Sequence, residues 1–192
     1  YLLGPEAIAL GRRWLAADGH VEVARPIVEE LAARLNEHVL LATLRGGTLY
    51  RLTQATSEQV VAISPSYGIH GKSYTMATMK VLLAFADEET RGAALDDIDF
   101  TAQGRNAIND REEYRVHLER VRERGYAMSV DETESHLTAV AVPVLERSGH
   151  AAAALGVAMP SARCPLGRRQ ELVEQLQKCA GRIAGEWGLS QG

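Results

Sequence analysis

The chain has 192 residues, a length that suits one domain, and 46% of them are hydrophobic, enough to bury a core. Its formal net charge of −4 and its pI near 5.9 argue against a chain that itself binds nucleic acid, because such proteins carry a basic balance or a basic patch. The two cysteines belong to no CxxC motif, no apolar run is long enough to span a membrane and no signal peptide is evident, so we expect a reducing, cytoplasmic compartment.

The first part of the chain is predicted to form two helices. Pro5 to Asp18 has a proline at a first-turn position, and Gly19 ends the pattern. Val21 to Asn36 repeats apolar residues with a period near 3.6, and Pro26 inside this pattern predicts a kink or a restart. The apolar stripes of these helices either cover a sheet or form the seam of a dimer.

The next segment contains the first predicted strands. His38 to Leu44 and Leu49 to Thr56 flank a Gly-Gly turn and predict a hairpin. Gln59 to Ile63 is predicted to be a third strand. Ser64 to Gly71 contains one proline and two glycines and is therefore predicted to be a loop.

Three helices are predicted in the middle of the chain. Ser73 to Ala86 is the first, with its own serine or Thr75 as a possible cap. Asp87 to Leu95 is a second, short helix, and a polar loop follows it. Asp110 to Arg124 is amphipathic, begins with a capping-box arrangement and ends before Gly125.

The last part of the chain predicts the centre of a sheet. Tyr126 to Asp131 is a predicted strand, and Leu137 to Leu145 with Ala151 to Met159 forms a predicted hairpin across a polar turn. Neither hairpin strand alternates between apolar and polar residues, so we expect cover on both faces, helices on one side and another layer on the other. Leu166 to Trp187 is the closing helix. The order predicts an α+β (α/β) fold with an antiparallel sheet of about five to six strands.

Small side chains are concentrated in the central hairpin. They are Ala139, Ala141, Ala151 to Ala154, Gly156 and Ala158. Such residues leave room either for a closely packed helix or for a ligand cavity, and the sequence leaves both readings open.

Evidence for catalysis is weak. There is no GxSxG elbow, and Cys164 and Cys179 lack a visible cationic setting, so both cysteines are predicted to be structural. The six histidines form no HxH or HxxxH pair, which argues against a metal site; they are His20, His38, His70, His117, His136 and His150. Asp131, Glu132 and Glu134 form an acidic group that we expect to be solvated, although paired carboxylates can do acid–base work. An enzyme that uses Asp131 and Glu132 with His136 or His70 therefore remains an alternative.

Five blocks of the sequence occur in a characteristic order. They are YLLGPEAIALG, ARPIVEELAARLNEHVLLA, TMATMKVLLAF, ERVRERGYAMSVDETES and LTAVAVPVLERSGHAAAALGVAMPSAR. The third is similar to a helix written T-A-x-G-K-x-L-L-A, and the last two to I-R-x-x-G-Y-A-x-x-x-x-E and I-A-A-P-V-x-D-x-x-G-x-x-x-A-A-L-S-V-x-x-P. Together they resemble the effector-binding domain of the IclR (isocitrate lyase regulator) family of bacterial transcription factors, over essentially the whole chain.

This resemblance implies a GAF-like or profilin-like fold, a curved antiparallel sheet with helices on one face and a ligand pocket on the other. It implies that residues 1–19 are a linker helix from an absent N-terminal winged helix-turn-helix and that residues 20–192 form the effector-binding domain. Because the chain begins with Tyr1 and not methionine, we expect a piece of a longer protein. The implied partners are a small-molecule effector, further copies of the chain in a dimer or tetramer, and operator DNA through the absent domain. No enzyme activity, cofactor, metal or membrane is implied, and a GAF-type signalling sensor is a further alternative.

The resemblance also implies a set of pocket residues. In family members that bind small acids the pocket is lined by one strand, the first turn of the TAxGK helix and the last three strands. Carried over to this sequence, the set is Val60, Ile63, Tyr74, Ala77, Thr78, Met79, Ser129, Asp131, Leu137, Ala139, Gly156 and Ala158. Ser129 stands where a carboxylate is frequent, and Asp131 would serve if the register slips by two. Lys80 matches the family lysine.

Several of these residues depart from the family pattern for small acids. Gly156 and Ala158 stand where small-acid binders carry serines, Met79 adds bulk and Tyr74 replaces a frequent histidine. A small carboxylate would lose hydrogen bonds in such a pocket, so we expect a larger or more apolar effector, aromatic compounds included. The free amides at the helix start would receive an acidic group. The alternative is a pocket closed by Met76, Met79 and Tyr74, in a domain that only dimerises.

Overall fold

The structure is a computed structural model that describes residues 19–56, 58–59, 70–71, 74–102 and 104–189. The elements in these ranges are α1 (Gly19–Leu35), β1 (His38–Arg45), β2 (Thr48–Ala55), β3 (His70–Gly71), α2 (Ala77–Ala84), α3 (Glu88–Asp96), α4 (Arg111–Arg124), β4 (Ala127–Val130), β5 (Leu137–Leu145), β6 (Ala151–Pro160) and α5 (Leu166–Glu186). A 3-10 turn, Ser161–Arg163, precedes α5. Among the described helices, none has both the length and the apolar character needed to cross a membrane.

The strands form one antiparallel sheet in the order β3-β2-β1-β6-β5-β4. The two predicted hairpins, β1–β2 and β5–β6, are both present. Their turns contain the positive-φ glycines that tight turns favour, Gly46 and Gly47 in the first and Gly149 in the second. Strand β6 joins the halves of the sheet because it pairs with β1 on one side and β5 on the other. The predicted α+β fold with five to six antiparallel strands is confirmed.

Helices cover both faces of this sheet. On one face, α1 and α5 bury a core that includes Leu31, Leu155 and Leu176. On the other, α2, α3 and α4 bury a second core that includes Met79 and Leu118. The expectation that helices lie on one face only is therefore wrong. Strands β5 and β6 carry apolar side chains on both faces, and each apolar face needs its own cover.

Local capping explains why two helices begin where the sequence predicts. The Asp110 carboxylate accepts a hydrogen bond from the Glu113 amide at 2.8 Å at the start of α4, and Gly125 ends that helix with a φ of 79°. Asp87 accepts one from the Thr90 amide at 2.8 Å at the start of α3.

Two helical predictions need correction. Helix α1 continues through Pro26 as one helix, so the chain does not restart there. Helix α2 begins at Ala77 and not at Ser73, and its N-cap residue is Met76, which makes no side-chain capping hydrogen bond, so Thr75 is not the cap. Every residue of this helix is buried. Packing against the rest of the protein, and not a local capping hydrogen bond, therefore determines the position of α2.

Some predictions fall on other parts of the chain. The helix Pro5 to Asp18 and the strand residues 60–63 lie outside the described residues, and Gln59 is not in a strand. The predicted loop Ser64 to Gly71 is wrong at its end, because His70 and Gly71 form β3. The reason is that the edge of β2 that faces away from β1 can accept another strand, and Tyr50 pairs with His70 there.

Candidate ligand-binding site

Two rows of residues run across the sheet beneath α2. The strand register makes neighbours of Ser129, Ala139, Ala158 and His38 in the first row. It makes neighbours of Ala127, Ala141, Gly156 and Leu40 in the second row. Directly opposed residues of paired strands point to the same face. Four of these eight residues are alanines and one is a glycine, so few side-chain atoms rise from the sheet where α2 lies over it.

Helix α2 packs directly on this part of the sheet at Gly156. A Cβ atom at Gly156 would lie 2.8 Å from Cγ2 of Thr78, closer than such atoms approach, and 3.3 Å from the Val140 carbonyl oxygen. Close helix packing, one of the two readings of the small residues, is therefore the reason for the glycine at this position.

The small residues also leave a cavity, the second of the two possibilities, next to the contact between Thr78 and Gly156. The described residues leave a cavity of about 20 Å³, which is about the space that one water molecule needs. Its lining residues are His38, Leu40, Met76, Ala77, Thr78, Ala139, Val140, Gly156, Val157 and Ala158. The lining comes from α2 and its N-cap and from β1, β5 and β6.

Two polar side chains on this cavity have no hydrogen-bond partner among the described residues. They are the imidazole of His38, at both ring nitrogens, and the hydroxyl of Thr78. His38 is 1% exposed and Thr78 is 5% exposed. Buried polar groups are nearly always paired, so two exceptions on one cavity make this cavity the candidate site for a ligand or a water.

The protonation state of His38 follows from its surroundings. Burial lowers the pKa of His38, and the positive charge of Arg51 lowers it further. The imidazole is therefore neutral near neutral pH. A neutral imidazole offers one hydrogen-bond donor and one acceptor.

The start of α2 adds donors on the same side. Its first intrahelical hydrogen bond runs from the Lys80 amide to the Met76 carbonyl at 3.0 Å, so the preceding amides of the first turn have no acceptor within the helix. Met76 supplies no side-chain cap, and no acidic residue stands in the first turn. An uncapped helix N-terminus favours an anion or another hydrogen-bond acceptor.

The structure brings together five of the residues that the resemblance implies. Ala77, Thr78, Ala139, Gly156 and Ala158 line the cavity. Ser129 is buried in the same cross-strand row as Ala139, and Leu137 and Met79 are buried in the second core. Val60 and Ile63 lie outside the described residues.

Tyr74 and Asp131 are engaged elsewhere. The Tyr74 ring packs against those of Phe100 and Tyr114, with centroids 4.9 and 5.4 Å away. Its hydroxyl donates to Asn109 and accepts from the Ala102 amide. The Asp131 carboxylate accepts hydrogen bonds from Arg105 at 2.9 Å and from the Ser161 hydroxyl at 3.3 Å.

Sequence reasoning missed part of the lining. His38, Leu40, Val140 and Val157 were not among the implied residues. For His38 and Leu40 the missing information is the pairing of β1 with β6, which joins segments more than a hundred residues apart. No local pattern in the sequence encodes that pairing.

The acidic group before β5 was expected to be solvated, and this is wrong for Glu132, which is buried against Lys80, whereas Glu134 is exposed. The Lys80 ammonium lies 2.5 and 2.6 Å from the two carboxylate oxygens of Glu132 and donates to the Met128 carbonyl at 3.1 Å. Burial lowers the pKa of Lys80 and raises the pKa of Glu132, and the attraction between the two charges opposes both shifts. In the part of the chain that the structure describes, no cluster of three metal-binding side chains is found.

A wider cleft lies between the C-terminal ends of α2 and α4, strand β5 and helix α5. It has a volume of about 480 Å³ and is lined by Phe85, Arg122, Gly125, Pro143, Leu145, Gln177, Ala180, Gly181 and Ala184. The polar side chains of this set are not among the buried groups without a partner, and Arg122 donates to the Ala84 carbonyl. The small cavity at His38 is therefore the candidate site, because it has buried polar side chains without a partner and this cleft has none among the described residues.

Comparison with known proteins identifies the family. The family model "Bacterial transcriptional regulator IclR C-terminal" matches residues 15–185. The Pca regulon regulatory protein of Pseudomonas putida is 29% identical over 158 residues, which are 82% of this chain and 54% of that protein. KdgR of Escherichia coli K12, an HTH-type transcriptional regulator, is 28% identical over 188 residues, 98% of this chain and 72% of that protein.

A solved structure agrees with these matches. An IclR homolog from Microbacterium hydrocarbonoxydans, in complex with 4-hydroxybenzoate, superposes with a TM-score of 0.82 at 25% identity and covers 98% of this chain and 76% of its own. The family model and both curated relatives are named as regulators, so an acid–base enzyme at Asp131 and Glu132 is not supported. The chain belongs to the IclR family of bacterial transcriptional regulators and is its C-terminal, effector-binding domain.

Proposed function

We propose that the chain binds a small acid with an apolar or aromatic body between the start of α2 and strands β1, β5 and β6. The observation that carries this proposal is the pair of buried, unpartnered polar side chains, His38 and Thr78, on one otherwise apolar cavity below an uncapped helix N-terminus. Residues 1–19 would be the linker and residues 20–192 the sensing domain of a cytoplasmic regulator. A DNA-binding domain outside this chain would respond to the ligand, in a dimer or tetramer.

The chemistry of the lining favours an apolar body. Ala139, Gly156 and Ala158 offer no side-chain hydrogen bonds, and Leu40 and Val157 add apolar surface. A small keto acid would bring several oxygens into a space that can pair few of them, and unpaired buried polar groups are costly. The complex of the Microbacterium homolog with 4-hydroxybenzoate shows that a protein of this family binds an aromatic acid.

The size of the cavity links binding to a change of conformation. A space of about 20 Å³ holds one polar group but not a whole metabolite. An aromatic ligand would therefore move the side chain of Met76, which lines the cavity. A ligand shifts a conformational equilibrium only by its different affinity for the two states, and this displacement would supply that difference.

Titration calorimetry on the 192-residue chain tests the proposal with benzoate, 4-hydroxybenzoate, glyoxylate and pyruvate. We expect the aromatic acids to bind and the keto acids to bind at least about tenfold more weakly, a difference of about 1.4 kcal/mol. The variant Ala158→Leu fills the cavity and should abolish binding of the aromatic acids. Gly92→Ala, with open space around its added carbon, is the matched control. Tighter binding of glyoxylate or pyruvate than of the aromatic acids would refute the apolar effector.

A further inference from the structure

We propose that His38 and Thr78 together recognise a single hydroxyl group of the effector, so that the cavity selects a hydroxylated acid over the same acid without its hydroxyl. This inference rests on the proposed function and adds a specificity-determining pair of residues to it. His38 lies outside the set of pocket residues that the family resemblance implies.

The position of His38 is fixed before any ligand arrives. It is the first residue of β1 and pairs with Ala158 in β6. Its neighbour Glu37 is 1% exposed and accepts two hydrogen bonds from Arg163, at 2.7 and 2.6 Å. These contacts hold the start of β1 against the segment that follows β6. A preorganised donor and acceptor discriminates better than a mobile one.

The position of Thr78 is fixed by its methyl group. Cγ2 packs on Gly156, and this contact restricts the rotation of the side chain. A threonine hydroxyl in a helix commonly bonds the carbonyl one turn earlier, yet the Thr78 hydroxyl has no partner among the described residues. It is therefore available to a group in the cavity.

The volume and the hydrogen-bonding capacity match one hydroxyl. The cavity of about 20 Å³ accommodates one oxygen atom with its hydrogen. A ligand O–H can donate to one of the two side chains and accept from the other, because a neutral imidazole and a threonine hydroxyl each offer a donor and an acceptor. A carboxylate at this place would face neutral groups only, whereas the first-turn amides of α2 carry the positive end of a helix dipole. The chemistry thus assigns the hydroxyl to His38 and Thr78 and the carboxylate to α2.

In the absence of ligand, the competing occupant is a water molecule. A ligand hydroxyl that reproduces the hydrogen bonds of that water keeps its affinity, whereas a ligand without the hydroxyl leaves the water or two unpaired groups behind. Enzyme sites built to bond a hydroxyl reject the analogue that lacks it by about 10⁴- to 10⁵-fold. We expect a preference of at least about tenfold here.

The test compares dissociation constants of 4-hydroxybenzoate, 3-hydroxybenzoate and benzoate for the 192-residue chain and four variants. His38→Phe and Thr78→Val keep the shape and remove the hydrogen bonds, while His38→Gln and Thr78→Ser keep part of them. For the unsubstituted chain, one hydroxybenzoate should bind at least about tenfold more tightly than benzoate. His38→Phe and Thr78→Val should bring this ratio close to one, and His38→Gln and Thr78→Ser should retain part of it.

The ratio separates recognition from general damage, because a variant that only distorts the pocket weakens all three acids alike. An unchanged ratio in His38→Phe and Thr78→Val overturns this inference and leaves the proposed function standing. If none of the three acids binds the unsubstituted chain, both the proposed function and this inference are overturned. If His38→Phe does not fold, the ratios for Thr78→Val and His38→Gln decide.

Discussion

Gly156 is the residue at which one added carbon would disturb the site most directly. In Gly156→Ala the new Cβ would lie 2.8 Å from Cγ2 of Thr78, so either the Thr78 side chain or α2 itself has to move. Overpacking of this kind costs about 1–3 kcal/mol. We expect Gly156→Ala to lower the free energy of unfolding by that amount, measured by urea denaturation.

A second substitution identifies the clash as the cause. Thr78→Ser removes the methyl group that the new carbon would meet, so the double variant should lose less stability than the two single changes added together. Gly92→Ala is the control, because its added carbon meets nothing within 4 Å and a glycine in a helix is less favourable than alanine. A Gly156→Ala variant as stable as the unsubstituted chain would contradict the packing described here.

At this scale the sequence predicts the small residues of the site and Thr78, but not His38. Ala77, Thr78, Ala139, Gly156 and Ala158 follow from the family resemblance and line the cavity. His38 does not follow, because the first six residues of β1 are all buried and no alternation indicates which of its side chains face α2.

At the scale of elements, the Lys80–Glu132 ion pair joins α2 to the segment between β4 and β5. Lys80→Met would leave the Glu132 carboxylate, 8% exposed, without its cation. Loss of one partner of a buried pair costs about 3–5 kcal/mol. We expect Lys80→Met to lower the free energy of unfolding by about that amount, and the double variant Lys80→Met with Glu132→Gln to recover much of it.

An exposed ion pair on α4 is the matched control for this experiment. Arg115 lies 2.6 Å from Glu112, but its side chain is 46% exposed. Exposed pairs contribute about 0–1 kcal/mol, so Arg115→Met should change stability little. If Lys80→Met is as mild as Arg115→Met, the buried pair does not hold these elements together.

The elements that the sequence predicts best are those whose ends are fixed by local contacts. Helices α3 and α4 begin next to Asp87 and Asp110, and each aspartate accepts a hydrogen bond from the amide three residues later. Helix α2 begins four residues after its predicted start, because the contact with Gly156 and not a local cap determines where it lies. Cover on both faces of the sheet follows from the unbroken apolar runs of β5 and β6, whereas the family resemblance implied a face without helices.

At the scale of the whole molecule, the order of the strands could not be predicted. The two hairpins each join strands that are adjacent in the sequence, and glycines in their turns predict both of them. The pairing of β1 with β6, which unites the hairpins and creates the cavity, depends on packing between distant segments. The site therefore forms only when the two hairpins pair, and neither hairpin sequence on its own predicts it.

Acid should destabilise the whole fold, because it contains two imidazoles that burial keeps neutral. Burial lowers the pKa of His38, and burial together with the charges of Lys80, Arg124 and Arg120 lowers the pKa of His117 to about 4. The unfolded chain binds these protons near the ordinary histidine pKa of about 6.5. The stability is therefore fully present above about pH 6.5 and falls as the pH is lowered, until His117 is also protonated in the folded state below about pH 4.

The size of the effect of His117 is about 1–2 kcal/mol between pH 7.5 and pH 5, since each pH unit in this window contributes at most about 1.4 kcal/mol. We expect the free energy of unfolding, measured in urea at both pH values, to fall by that much more in the unsubstituted chain than in His117→Gln. His150→Gln, in the turn between β5 and β6, is the control and should retain the pH dependence of the unsubstituted chain. If His117→Gln shows the same loss at pH 5 as the unsubstituted chain, a neutral buried His117 is not a source of the acid sensitivity.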